Sequence, residues 1–223
     1  ANLPCSHDLI LDEYYPDGTG EWVVSSCKEE ERLQVLHRPA KSGLATAYVE
    51  GMGWGIEQGY PFILQMDADG SHSPVDLPKL LARMAGPDKP DLVIGSRWVP
   101  GGAINGWSSK RVALSKAGNY YVRFCLGTPV KDATAGLRLH RSAFLAQHEV
   151  LGRVATTGFG FQVEMTELER SLGAVITEVP ITFDERIAGE SKLDSSIFVE
   201  ELVMVTKGGL GRLTQAARRA FSK

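Results

Sequence analysis

The stretch Phe62-Ile63-Leu64-Gln65-Met66-Asp67-Ala68-Asp69-Gly70 decides the reading of this chain. An uncharged, mostly apolar run makes a buried-strand pattern, and it passes directly into two carboxylates one residue apart. At the carboxyl end of a strand such a pair faces the crevice of an α/β sheet. Like charges that close repel unless a cation joins them. A hard divalent ion such as Mg²⁺ or Mn²⁺ suits carboxylate oxygens and keeps positions open for phosphate oxygens. The alternative is a polar turn whose aspartates cap the next helix. A calcium-binding EF-hand is excluded, because its loop glycine would fall at His72 and its closing glutamate at Pro78.

Outward from this stretch, short apolar runs at 8–11, 33–36, 62–66, 92–95 and 175–183 read as strands. They alternate with helical patterns at 44–58, 75–84, 111–126, 162–172 and 197–207. Strand–helix alternation predicts an α/β layer fold with a mainly parallel central sheet flanked by helices. The segment Gly51-Met52-Gly53-Trp54-Gly55-Ile56 fails the dinucleotide fingerprint at Ile56, so its glycines are read as allowing close helix–sheet approach. The loop 100–106 reads either as a lid or as a long surface connection.

With 223 residues, 43% of them hydrophobic, the chain suits a single domain over 1–223. A net charge of −3 gives no global reason to bind nucleic acid. Three cysteines without metal-ligand spacing fit a reduced, cytoplasmic setting. The sequence contains no apolar run long enough to span a bilayer, so a soluble or peripheral protein is expected. Two local zones are purely basic: 110–131, and a tail at 208–223 whose leucines and phenylalanine alternate with arginines at helical spacing. Such amphipathic segments suit an anionic membrane surface.

Several collinear segments resemble one family. They are Asp12-Glu13-Tyr14-Tyr15-Pro16-Asp17-Gly18-Thr19, His37-Arg38-Pro39-Ala40-Lys41-Ser42-Gly43-Leu44, the run Gln65 to His72, and Gly95-Ser96-Arg97. Asp132-Ala133-Thr134-Ala135-Gly136-Leu137-Arg138, Gly160-Phe161-Gln162-Val163-Glu164-Met165 and Arg186-Ile187-Ala188-Gly189-Glu190-Ser191-Lys192-Leu193 follow in order. Together they resemble the dolichol- or polyprenol-phosphate mannose synthases, inverting family 2 glycosyltransferases with a GT-A fold. The resemblance implies GDP-mannose as donor, a polyprenyl monophosphate lipid as acceptor, and Mg²⁺ or Mn²⁺. It also implies a peripheral position on the cytoplasmic face of a membrane, with room for a membrane-anchoring protein partner.

The resemblance and the chemistry together assign residues. Asp67 and Asp69, with Gln65 on the same strand face, would hold the metal. Asp12, Glu13, Asp17, Lys41, Ala68 and Arg97 would join them around the nucleotide sugar. A phosphate monoester is already an anionic nucleophile near neutral pH, so its site needs positioning cations rather than a base. Arg111, Ser115, Arg138, Arg186 and Lys192 are expected there, guanidinium groups matching phosphate geometry. Asp69, Arg111, Arg138, Arg186 and Lys192 make up the expected catalytic set. Asp132 and Glu164 match the family too, but each is also read as a structural carboxylate. His72 reads as a loop residue.

The sequence departs from the family at its start, where the usual first strand and Pro-Thr-Tyr-Asn-Glu-type segment are missing, and Glu13 and Tyr15 replace the usual Asp and Ser. Two rivals stay open: a related transferase using another nucleotide sugar such as UDP-glucose, and an inactive nucleotide-binding or scaffold module.

Overall fold

A computed structural model describes residues 6–12, 19–40, 42–158, 160–185, 203, 205, 206, 208 and 209. Strand β1 (Asp8–Asp12) leads through helix α1 (Thr19–Cys27) to a parallel neighbour, β2 (Leu33–His37). Helix α2 (Leu44–Glu57) precedes β3 (Phe62–Gln65), and a short 3₁₀ turn opens α3 (Leu77–Met84). Ser73 caps that turn, and Pro74 and Pro78, each early in its segment, need no helical partner for their missing N–H. Strand β4 (Leu92–Ser96) follows, with all five residues buried, as a continuous apolar run in mid-sheet requires.

The remaining elements are β5 (Ala103–Ile104), α4 (Ser109–Leu126), β6 (Arg138–Arg141), α5 (Ser142–Gln147), α6 (Phe161–Ser171), β7 (Ile176–Pro180) and β8 (Thr182–Phe183). Ser108 caps α4, and Gly127, in the left-handed conformation, ends it. The four-stranded sheet runs β3-β6-β4-β7, with β6 antiparallel to both neighbours and β4 parallel to β7. Strands β3, β4 and β7 therefore point the same way, and their carboxyl ends share one edge.

Most expected elements are present, and the sheet is mainly parallel as expected, with β6 alone inserted the other way. Two differences stand out. The long run expected at 175–183 divides at Ile181, after which β8 leaves to pair with β5. That pairing pins the 100–106 loop: Ala103 N–H donates to Ile181 O and Asn105 N–H to Phe183 O. It is a tethered connection rather than a lid. Finally, β1 and β2 form their own two-stranded sheet among the described residues. Helix α2 bridges it to β3, with Gly51 against Leu11 and Gly55 against Ile63, as its glycine pattern predicts. The expected 208–223 tail and most of the 197–207 helix lie outside the described residues.

One face of the four-stranded sheet packs on α3 through Leu77, Leu80, Met84, Val93 and Leu139. The other packs on α4 and α6 through Ile94, Val122, Leu126 and Val163. Within this interior sits a charged group. Arg138 is fully buried; Nε donates to Ala135 O, Nη2 to Ala133 O and Nη1 to the Thr166 hydroxyl. Burial pulls its pKa down to about 10, offset chiefly by the carboxylates of Glu169 and Asp132, so it is charged at neutral pH. His140 Nδ1, two residues along β6, lies 3.0 Å from Glu169 Oε1, both fully buried. Arg138→Met is expected to cost about 3–5 kcal/mol, because it leaves the nearby buried Glu169 carboxylate and the Ala133 and Ala135 carbonyls without their cation. Chemical unfolding would measure this, and a loss below about 1 kcal/mol would contradict it.

Candidate active site

Asp67 and Asp69 follow β3 at the shared strand edge, and both side chains are half-buried. The Tyr48 hydroxyl, from α2, donates to Asp67 Oδ1 at 2.6 Å, and the Tyr48 ring stacks on Phe161. Burial, and then the adjacent Asp67 carboxylate, push Tyr48 well above the usual phenol range, so it remains a neutral donor. His72 Nε2 lies 3.6 Å from Asp67 Oδ2, and its ring is buried edge-on against Phe183. Asp69 Oδ1 accepts from the Ser71 N–H at 3.0 Å and the Ser71 hydroxyl at 2.5 Å. Gly136 closes the far side: a Cβ there would lie 2.6 Å from Asp67 Oδ2 and 3.2 Å from His72 Nε2. Ala68 is exposed between the two aspartates.

This donor set fits a hard divalent ion. Two partly accessible carboxylates supply oxygen ligands, and among the described residues no group of three or more His, Cys, Asp or Glu is placed to hold a metal alone. One or two carboxylates are what Mg²⁺-type ions take from a protein, completing their shell with phosphate oxygens and water. Gln65, expected as a further donor, is buried beside Tyr48 and neither of its amide atoms has a hydrogen-bond partner of good geometry.

Phe183 joins this acidic corner to a cationic one. Its ring meets His72, the Trp107 ring and the Arg97 guanidinium. Arg97 is itself nearly buried and forks onto Asp132, with Nε at 2.8 Å and Nη2 at 2.6 Å, and Nη2 also reaches Thr134. Arg111, in the first turn of α4, lies 4.0 Å over the Trp107 ring and pairs with Glu185. Ser115 stands one turn further along α4, and Asn119 beyond it ties that helix to Ala133 and Thr134. The loop after β8 closes the group, Asp184 N–H donating to Ser71 O and Glu185 N–H to Asn105 O.

The expected residues thus divide. Asp67, Ala68, Asp69, Arg97 and Arg111 come to one edge of the sheet, with Ser115 one turn further along α4. Arg138 does not face it: its guanidinium is turned inward and spent on the 133–135 backbone and Thr166. The expected phosphate contact is corrected to support from behind. Asp12 is buried at the end of β1, 3.0 Å from His37 Nδ1 and packed on Gly20. Asp132 and Glu164 take structural roles: Asp132 holds Arg97, and Glu164 accepts from the N–H groups of Ala155 and Thr156. Glu13, Asp17, Lys41, Arg186 and Lys192 lie outside the described residues. Sequence reasoning missed Tyr48, Trp107 and Phe183, and undervalued His72 although it lies within the quoted run.

A carboxylate pair at a strand edge is thus joined through Phe183 to a guanidinium and aromatic cluster. Residues 9–148 match the glycosyl transferase family 2 profile, and the chain belongs to that family. It is similar to an undecaprenyl-phosphate mannosyltransferase of Micrococcus luteus, 44% identical over 97% of this chain and 87% of the relative. It is also similar to a polyprenol monophosphomannose synthase of Mycolicibacterium smegmatis, 42% identical over 96% of this chain and 80% of that protein. Among solved structures, glucosyl-3-phosphoglycerate synthase from Mycobacterium tuberculosis, in complex with Mn²⁺, UDP-glucose and phosphoglyceric acid, superposes with a TM-score of 0.63. At 17% identity, covering 91% of this chain and 68% of that one, it shares the GT-A fold.

Proposed function

We propose that this chain transfers mannose from GDP-mannose to a polyprenyl monophosphate, with inversion at the anomeric carbon. The observation that carries the reading is the pairing, across Phe183, of the Asp67/Asp69 corner with the Arg97–Trp107–Arg111 corner, in a chain so similar to two lipid-phosphate mannosyltransferases. Asp67 and Asp69 would hold Mg²⁺ or Mn²⁺, which when bound neutralises the diphosphate as it leaves. Tyr48 holds Asp67 in place, with the His72 ring packed beside it. An acceptor phosphate oxygen bonds to the anomeric carbon as the bond from that carbon to the GDP oxygen breaks. The nucleophile arrives ionised, so no proton has to be removed. Arg111 and Ser115 on α4, near the helix N-terminus, would receive the acceptor phosphate. Arg186 and Lys192 belong to the same proposed set, and Asp12, Glu13, Asp17, Lys41 and Arg97 to the nucleotide-sugar set.

No described helix is long and apolar enough to cross a membrane. We place the enzyme peripherally on a cytoplasmic membrane face, with or without an anchoring protein partner. The deciding experiment incubates the protein with labelled GDP-mannose, UDP-glucose or UDP-N-acetylglucosamine, short-chain polyprenyl phosphate and Mn²⁺. Label is expected in the lipid phase from GDP-mannose alone, and chelation should abolish it. Label from a UDP-sugar alone would replace the donor assignment. Metal-dependent nucleotide binding with no transfer would favour a scaffold.

A further inference from the structure

Helix α4 is built the wrong way round for a helix facing water. Its inner side carries Asn119, Val122 and Leu126. Opposite them, at spacings of four, three and four, stand Ala113, Ala117, Tyr120 and Phe124, all exposed. Phe124 is 82% exposed, Tyr120 72% and Leu114, beside them, 56%. An ordinary surface helix turns its polar stripe outward. A contiguous apolar stripe of this kind marks an interaction surface.

The charges say what it meets. From Ser109 to Leu126 every charged residue is basic, with no carboxylate. Lys116 and Arg123 run along one flank of the apolar stripe, and the Arg123 guanidinium lies over the Tyr120 ring. Lys110 marks the end nearest the active site. An apolar ridge edged by cations complements a bilayer with anionic headgroups, the rings entering the acyl boundary and the cations staying at headgroup level. The helix is about 27 Å long at 1.5 Å per residue, and its first turn holds Arg111. Arg111 and Ser115 stand on the inward side of the same helix, in series with Asn119, so a helix lying in the membrane plane would bring the mouth of the site up to the lipid surface.

We infer that the outward face of α4, centred on Tyr120 and Phe124 and flanked by Lys116 and Arg123, docks on an anionic lipid bilayer and delivers the acceptor phosphate to Arg111. The inference rests on the lipid-phosphate acceptor proposed above, so binding and transfer are measured separately. Vesicle flotation without donor compares the unmodified protein with Tyr120→Ser/Phe124→Ser and with Lys116→Glu/Arg123→Glu, on neutral and on anionic phospholipid. Unmodified protein is expected to float with anionic vesicles, and each double variant to bind them at least tenfold more weakly. Both variants should transfer to a short-chain acceptor free of vesicles at the unmodified rate, since all four side chains are exposed or flanking and none lies in the proposed site. Undiminished flotation of the Tyr120/Phe124 variant overturns the docking assignment, whatever the transfer assay gives. Equal binding of the unmodified protein to neutral and anionic vesicles overturns the role of the cations. Sedimentation in which only the unmodified protein dimerises, with flotation unaffected, gives the face to a second copy of the chain. Loss of transfer from every donor with flotation intact counts against the proposed reaction and leaves the docking surface standing.

Discussion

Asp69→Asn is expected to lower kcat/KM about a thousandfold, equivalent to roughly 4 kcal/mol of transition-state stabilisation. The substitution is nearly isosteric, and an amide oxygen can still accept from the Ser71 N–H and hydroxyl, so the turn after β3 should keep its shape. What is lost is one of two negative charges offered to the divalent ion. The defect should therefore appear twice: in transfer, and in direct Mn²⁺ binding followed by electron paramagnetic resonance, while the thermal midpoint stays within a few degrees. Near-normal transfer alongside unaltered Mn²⁺ affinity would remove Asp69 from the metal site.

Gly136→Ala is expected to cost about a hundredfold in kcat/KM, the order reached when a reacting group is displaced by about 1 Å. Gly136 is not among the glycines with positive φ, so alanine meets no backbone objection there. The obstacle is purely spatial. The new methyl would sit 2.6 Å from Asp67 Oδ2 and 3.2 Å from Cγ, closer than carbon and oxygen tolerate. Asp67 is held on its other side by Tyr48, so it cannot slide away without giving up that hydrogen bond. Overpacking of this kind costs about 1–3 kcal/mol in stability, which a folded domain survives. Steady-state kinetics at saturating Mn²⁺ with a thermal melt would check both parts. A variant as active as the unmodified protein would mean that Asp67 need not sit where it does.

How much of this was legible in the sequence follows from where the charges lie. Strand β3 and its two aspartates could be read directly, because an apolar run ending in carboxylates has few interpretations. Strand β6 could not. Its sequence, Arg138-Leu139-His140-Arg141, buries Arg138 and His140 toward Thr166 and Glu169, so the residues that look polar are the ones facing inward. The same inversion misled the assignment of Arg138 as a phosphate ligand. Its signal was available in the alternation of Arg138 and His140, which a strand places on one face.

Tyr48 was hidden for another reason. It lies within an amphipathic helix pattern where an aromatic residue is ordinarily core, and only the approach of α2 to β3 brings its hydroxyl to Asp67. Helix α4 was legible as a basic, partly apolar segment, yet the sequence alone did not tell its inner side from its outer one. Asn119 resolves this, since its amide ties the helix to Ala133 and Thr134 and so fixes which side faces in.

Phe183 carries a consequence of its own. One ring touches His72 on the acidic side, and Trp107 and Arg97 on the cationic side. Side chains that share a packing partner do not respond independently to substitution. Energetic effects of changes at His72 and at Trp107 should therefore fail to sum, although the two residues belong to opposite halves of the site. The two substrate neighbourhoods are one mechanical unit, and evolutionary or engineered change in either is constrained by the same phenyl ring.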